Sequence, residues 1–193
     1  MKIGIIGKGN VGSAIGSGLS RAGHEVKHGH RDPKESVEGA AKWGDVVFLA
    51  VPFDSVSAAA AEMASFVDNK VVVDVTNAIG ANFSLAVGCS TSGAEELQKN
   101  LPKARVVKAF NTVFAANQST GRLGEEQLTL FVAGDDFEAK KMVMALGEDI
   151  GFNSVDAGPL RNARFLEPMG MLMINLGLAL GMGTKIGFKL VRV

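Results

Sequence analysis

The feature that most constrains this chain lies at its start. A short apolar run, Lys2 to Ile6, passes straight into Gly7-Lys8-Gly9-Asn10-Val11-Gly12, and a helical pattern with small residues on one face follows from Val11 to Ala22. The glycine spacing alone says little, because a chain with 24 glycines in 193 residues can produce it by chance. Placed between a strand and a helix it becomes specific. The first glycine permits a tight turn, the second lets the backbone approach a pyrophosphate, and the third lets the helix pack closely on the strand. Phosphates would then rest on free N–H groups at the helix N-terminus, where the helix dipole favours negative charge. The whole loop, Gly7, Lys8, Gly9, Asn10, Val11 and Gly12, is a candidate dinucleotide site.

The rest of the chain repeats the alternation. Strands are expected at Glu25–Gly29, Asp45–Val51, Lys70–Val75, Arg105–Phe110, Gln127–Ala133 and Phe152–Asp156. Helices are expected at Asp54–Phe66, Gly93–Asn100, Asp135–Gly147 and from Leu160 to about Leu180. Asn111–Gly124 reads as a loop. Continuous apolar strands such as VVFLAV, separated by helices, imply a parallel sheet covered on both faces. The fold class is therefore α/β, a Rossmann-type doubly wound parallel sheet with a small C-terminal helical piece. Residues 1–157 form the dinucleotide-binding part. Residues 158–193 form an extension within the same compact unit.

Composition closes off several functions. Lysine plus arginine equals aspartate plus glutamate at 20 each, which argues against a nucleic-acid partner. A single cysteine, Cys89, makes no internal disulfide, and a reducing cytoplasm fits best. Cys89 reads more readily as a plain small residue than as a redox thiol. His24, His28 and His30 surround the second strand without metal-site spacing, so no metal is expected. Lys2–Ile6 is too short for the apolar core of a secretory signal. The nearly charge-free stretch from Pro168 to Gly183 is shorter than the roughly 20 residues of a membrane span.

The second strand should meet the adenine ribose, and it ends Gly29-His30-Arg31-Asp32-Pro33-Lys34-Glu35. An acid about 20 residues beyond the third glycine marks an NAD site, and Asp32 lies there. Asp32-Pro33-Lys34-Glu35 also reads as a helix start, with the aspartate capping, proline at the first position and glutamate at the third. An aspartate turned to its own helix is less free to hold a ribose. Arg31 offers a planar, permanently charged fork to a 2′-phosphate, and His30 and Lys34 flank it. NADP(H) is the favoured cofactor, with NAD as the alternative.

No acid–base pair stands out, tyrosine is absent, and no residue is assigned a catalytic role. Hydride transfer between stacked heterocycles needs orientation and distance more than proton transfer, so this does not exclude an enzyme. Thr76 and Asn77 end the fourth strand and should face the crevice at the strands' carboxyl ends. Asn111 follows the fifth strand and is placed to hold a carboxamide or an acceptor carbonyl. For Thr76, Asn77 and Asn111 alike, simple turn chemistry is the competing role. Lys108, mid-strand, faces either solvent or the crevice and is the one candidate proton donor.

Three stretches together carry a family resemblance: GKGNVGSAIG near the start, VVKAFNTVFA at 106–115, and DAGPLRNARFLEPMGMLMINL at 156–176. The chain resembles the NADPH-dependent coenzyme F420 reductases and their bacterial relatives. The NADPH-binding domain of six-transmembrane ferric reductases is similar. The resemblance implies a Rossmann domain with a small helical C-terminal piece, commonly paired as a homodimer. It implies hydride transfer between NADPH and a planar heterocycle, a deazaflavin or a flavin. By the same resemblance Gly7, Gly9, Asn10, Val11 and Gly12 match the phosphate loop. His30 and Arg31 match a Ser-Arg pair gripping the 2′-phosphate, with histidine as a departure. Ala50, Val51 and Pro52 match the stretch lining the adenine–nicotinamide path. Lys108, Ala109, Phe110 and Asn111 match the floor where nicotinamide meets acceptor.

The last helix carries Met169, Met171 and Met173 among leucines and is apolar nearly all round, so it should be buried, most simply against a second protomer. Three functions follow. The leading one is an NADPH-dependent oxidoreductase with a small-molecule heterocyclic acceptor. The others are a non-catalytic NADP(H)-binding or sensing protein, and a small carbonyl or imine reductase using Lys108.

Overall fold

The computed structural model describes residues 1–80, 84–88 and 90–192, so Cys89 lies outside the described residues. The chain opens β1 (Lys2–Ile6), α1 (Asn10–Arg21), β2 (Glu25–Gly29), α2 (Val37–Trp43), β3 (Val46–Leu49), α3 (Val56–Met63) and β4 (Val71–Asp74). It continues α4 (Gly93–Asn100), β5 (Arg105–Lys108), α5 (Ala115–Gln118), a small hairpin of β6 (Arg122–Leu123) and β7 (Glu126–Gln127), then β8 (Thr129–Gly134), α6 (Phe137–Ile150), β9 (Asn153–Asp156) and α7 (Ala163–Ile174). One sheet runs β2-β1-β3-β4-β5-β8-β9.

Strands β1 to β5 are parallel, as the continuous apolar runs imply. β3 and β4 are buried along their whole length, whereas β2, at the edge, alternates. The sheet separates two cores. On one face Ile3, Ile5, Phe48 and Val73 pack with Ile15, Leu19, Val143 and Leu146 from α1 and α6. On the other, Ile6, Val47, Leu49 and Val72 pack with residues of α2, α3 and α4. The strand order reverses between β1 and β3, which puts the switch-point crevice over the loops that follow them.

The sheet is mostly parallel, as expected, with one exception: β8 pairs antiparallel with β5. A parallel return requires a long crossover, usually a helix. The connection here holds only the four-residue α5 and the hairpin, so the chain comes back in the opposite sense. Those elements also occupy part of the stretch read as loop. Asp32 caps its turn as expected, but the element it starts is short. Its turn, Pro33–Glu35, is a single 3-10 turn, and a fresh cap at Ser36, accepting from the Gly39 N–H at 3.1 Å, starts α2.

Past Ile174 the helix widens into a π-type turn over Asn175–Ala179, and the chain then folds back. The Thr129 N–H donates to the Phe188 carbonyl at 3.0 Å, and Asn117 Nδ2 donates to the carbonyls of Thr184 and Ile186 at 3.2 Å. Within the chain this helix is not buried all round: Phe165 is 69 % exposed, and Leu172, Leu178, Leu180 and Met182 are exposed with it. No helix of the described residues is long and apolar enough to cross a membrane.

Candidate functional site

The glycine loop does what its spacing requires. Gly7 adopts φ +113°, a left-handed conformation that suits glycine, and a Cβ there would collide with the Ala50 carbonyl. A Cβ on Gly12 would strike the Gly7 carbonyl, so that glycine lets α1 close on the loop. A Cβ on Gly9 would meet nothing within 4 Å, because Gly9 faces open space. α1 begins at Asn10 with no side-chain cap and no acid in its first turn, which leaves its N–H groups available to an anion. From beneath, His28 Nδ1 lies 3.1 Å from the Gly7 carbonyl and braces the loop from β2.

Two chambers flank this loop. One, of about 450 Å³, is lined by Gly7, Lys8, His30, Arg31, Val51 and Pro52 among others. The other, of about 430 Å³, is lined by Gly9, Asn10, Val11, Ala50, Val51, Pro52, Phe53, Val75, Thr76, Asn77 and Ile79. Val51 and Pro52 line both, so they form a sill between the chambers. A dinucleotide is two nucleosides joined by a pyrophosphate. Two chambers joined at a glycine loop with uncapped helix N–H groups fit that shape and charge.

The first chamber gathers Lys8, His30 and Arg31 from the glycine loop and the β2 tip, and the acids Asp54 and Glu62 complete its charged lining. Arg31 is exposed and makes no ion pair among the described residues. Lys8 Nζ donates to Glu35 at 2.7 Å, and His30 Nε2 lies 2.5 Å from the same carboxylate oxygen. The hydrogen bond from Lys8, then that from His30, holds the Glu35 carboxyl below the usual carboxylate range. Asp32 accepts from the Lys34 N–H at 2.9 Å, which commits one of its oxygens to its own turn, and it is not in the chamber lining. Lys34 is exposed and outside the chamber lining.

Among the described residues, no ionisable side chain lines the second chamber. Of the residues expected here, Ala109 is wholly buried and Asn111 nearly so, and neither lines the chamber. Asn111 Nδ2 is spent on Asn77 Oδ1 at 3.0 Å and the Leu166 carbonyl at 2.7 Å, while Asn77 Nδ2 returns a bond to the Asn111 carbonyl at 2.9 Å. This pair clamps α7 to the crevice wall, and Asn77 alone reaches the chamber. Between Lys108 and Asn111, Phe110 is forced to φ +67°, with its ring edge-on to Phe48 and Phe152 at 5.7 Å each. A bulky residue in this conformation is strained and persists only because its packing over-determines it.

Lys108 faces neither solvent nor crevice. It is completely buried, with Nζ 2.9 Å from Asp74 Oδ2, 3.0 Å from Glu167 Oε1 and 2.5 Å from the Thr76 carbonyl. Burial pushes its pKa down, but the carboxylates of Asp74 and Glu167 outweigh burial and hold it above the ordinary value. It is thus a fixed ammonium with no path to a substrate, and the proton-donor reading fails. Glu167, which sequence reasoning passed over, also accepts from the N–H groups of Gly93 and Ala94 at the start of α4. Its signal was present: one acid in the apolar run Phe165-Leu166-Glu167-Pro168-Met169 is costly unless paired. The histidines are dispersed, His24 on Asp149, His28 on the loop and His30 on Glu35.

A sequence family described as NADP oxidoreductase, coenzyme F420-dependent, matches residues 2–44 and 34–78, the span holding the loop, the β2 tip and the sill. The F420-dependent NADP reductase of Methanocaldococcus jannaschii is 30 % identical over 161 residues, covering 76 % of this chain and 70 % of that protein. This chain belongs to the F420-dependent NADP reductase family. It is thereby a member of a family of NADP-dependent oxidoreductases. Among solved structures, a candidate F420-dependent NADP-reductase from Arthrobacter sp. FB24 superposes with a TM-score of 0.92 at 29 % identity, each chain covered completely. Metalloreductase STEAP3 of Rattus norvegicus is also 30 % identical, over 90 % of this chain but only 37 % of its own length. The chain thus spans little more than a third of that relative.

Proposed function

We propose that this family member passes a hydride between NADP(H) and a planar heterocyclic acceptor, a deazaflavin such as coenzyme F420 or a flavin. The observation that carries the reading is the pair of chambers sharing the Val51–Pro52 sill, one bringing Lys8, His30 and Arg31 together at the β2 tip and one with no ionisable side chain among its described lining residues. Arg31, with His30 and Lys8 beside it, would hold the 2′-phosphate of the adenosine half. Gly7 to Gly12 and the first turn of α1 would hold the pyrophosphate. Asn10, Val11, Thr76 and Asn77 would orient the nicotinamide half against Val75 and Ile79. Bound NADPH supplies the hydride. The protein's contribution is to align two rings and exclude water, which asks for no acid or base in the second chamber. Ala109, Asn111 and Lys34 then act at one remove, the first two by fixing the crevice wall and the third through charge.

The exposed row on and after α7, Phe165, Leu172, Leu178, Leu180 and Met182, supports a homodimer with residues 158–193 as its contact. Residues 1–157 and this extension form one unit, held by Asn111, by Glu167 and by the Arg164–Glu95 pair at 2.7 Å. A cytoplasmic setting goes with the same reading. A non-catalytic NADP(H) sensor is the second reading, favoured by the absence of an acid–base group among the described residues lining the second chamber.

The test is anaerobic NADPH oxidation with F420, FMN or FAD as acceptor. Consumption of NADPH that depends on the acceptor is expected. Tight NADPH binding with no turnover on any of them would replace the enzyme by the sensor.

A further inference from the structure

We infer that Glu35 is a specificity-determining residue, an internal counter-anion that occupies the seat a cofactor's 2′-phosphate would take. The inference rests on the proposed cradle of Lys8, His30 and Arg31.

The geometry is particular. A single oxygen, Glu35 Oε2, sits between Lys8 Nζ at 2.7 Å and His30 Nε2 at 2.5 Å, and Oε1 lies 3.1 Å from the same ammonium. One anionic oxygen between two donors on different elements is how a phosphate monoester oxygen is held. The backbone makes this placement obligatory. The Glu35 N–H donates to the Asp32 carbonyl at 2.9 Å, and the Glu35 carbonyl accepts from the His30 N–H at 2.6 Å. These bonds curl the turn back over the glycine loop, so the side chain returns to the tip of β2. The His30 ring is fixed as well, because Nδ1 accepts from the Asp32 N–H at 3.3 Å and Nε2 is left to donate toward Glu35. Asp32, the other acid of the turn, is occupied by the Lys34 N–H. Glu35 is therefore the turn's one acid directed at the chamber's cations.

The charge count gives the consequence. At the tip of β2, Lys8 is paired with Glu35 and Arg31 is left without an ion-pair partner among the described residues, while Asp54 and Glu62, also in the chamber lining, pair with neither cation. At neutral pH Glu35 is ionised, because its carboxyl is held below the usual range by Lys8 and His30. A 2′-phosphate can gain Lys8 and His30 only by displacing Glu35, one anion exchanged for another. The pair is half-exposed, with side-chain accessibilities of 51 % and 41 %, so the exchange has a low barrier and a small net gain. A cofactor with a free 2′-hydroxyl has no charge to offer and leaves Glu35 in place. Glu35 thus lowers the preference for NADPH over NADH below what the three basic residues alone would give.

The experiment is calorimetric titration of wild type, Glu35→Gln and Arg31→Ala with NADPH, NADH, 2′-AMP and 5′-AMP at neutral pH, in low and high salt. Glu35→Gln keeps the shape and removes the charge. It is expected to tighten NADPH and 2′-AMP by about threefold to tenfold at low salt, with NADH and 5′-AMP within about twofold of wild type. If Arg31→Ala erodes the NADPH preference but Glu35→Gln leaves NADPH unchanged or weaker, the cradle stands and the counter-anion is overturned. If Glu35→Gln instead collapses NADH binding, Glu35 is a ribose ligand and the inference is again overturned. If Arg31→Ala leaves the preference untouched, the cradle itself is wrong and the inference falls with it.

Discussion

Two ionic networks flank the crevice, built from the same side-chain chemistry and put to opposite uses. At the tip of β2, Lys8, Glu35 and His30 meet in a half-exposed cluster. At the ends of β4 and β5, Lys108, Asp74 and Glu167 meet with almost no exposure. In water an ion pair is worth about 0–1 kcal/mol, so its members can trade partners with a ligand. In a dry interior the charges cannot be released singly, because each would be left desolvated and unpaired. Solvent access therefore decides which network recognises and which builds. The exposed one can exchange its carboxylate for a phosphate. The buried one joins β4, β5, α4 and α7, and through the Thr76 carbonyl it sets the wall of the second chamber.

The largest effect should come from the buried network. Lys108→Ala leaves two carboxylates facing each other and is expected to cost about 3–5 kcal/mol, read as a drop in Tm on the order of 10 °C. The raised pKa of Lys108 gives the same network a pH signature. Its contribution is whole below the unfolded lysine value, about 10.4, and is lost as pH rises through the higher folded value. Urea melts of wild type should therefore weaken above that point, and Lys108→Ala should lack this alkaline loss. Glu167→Gln should cost roughly half as much or less, since its amide oxygen still accepts from Gly93 and Asp74 still pairs with Lys108. If the two variants melted alike, the network would not be the unit described here.

At the exposed end, effects should appear in binding rather than in folding. Gly7→Ala is the exception, because it forces a side chain into a left-handed turn and against the Ala50 carbonyl, so it should lower Tm as well as weaken NADPH by at least about tenfold. Arg31→Ala should cost NADPH about tenfold while sparing NADH and shifting Tm little. Lys34→Ala, outside the chamber lining, should change NADPH affinity by less than about twofold, and less still in high salt. A larger loss for Lys34→Ala than for Arg31→Ala would reverse the assignment of the phosphate cation.

Much of this was legible in the sequence, and the parts that were not share a cause. The turn from Gly7 to Gly12 was legible because Gly7 and Gly12 each answer a local steric demand, while Gly9 opens on free space. β3 and β4 were read from their unbroken apolar runs. The antiparallel β8 was not, since an apolar run has no direction and only the shortness of α5 betrays the reversal. Asp32 was rightly seen as capping its turn, but Glu35 was taken for a helix-start residue only. Its contact with Lys8 spans 27 positions, beyond any local pattern. Lys108 and Glu167, 59 positions apart, become a pair only when α7 packs on α4. Asn111 was expected at the crevice, where its partner Asn77 stands instead. The all-round apolar character of the last helix was legible, and so was the side that a single chain leaves uncovered.

Arg31 is the proposed seat of a 2′-phosphate, at the β2 end of a two-chambered crevice. The most direct measurement is a titration of the purified protein with NADPH and NADH, followed by nicotinamide fluorescence, in wild type and Arg31→Ala. NADPH should bind more tightly than NADH in wild type, and the variant should lose that preference. Equal or tighter binding of NADH by wild type, or an Arg31→Ala variant indistinguishable from it, would contradict the account.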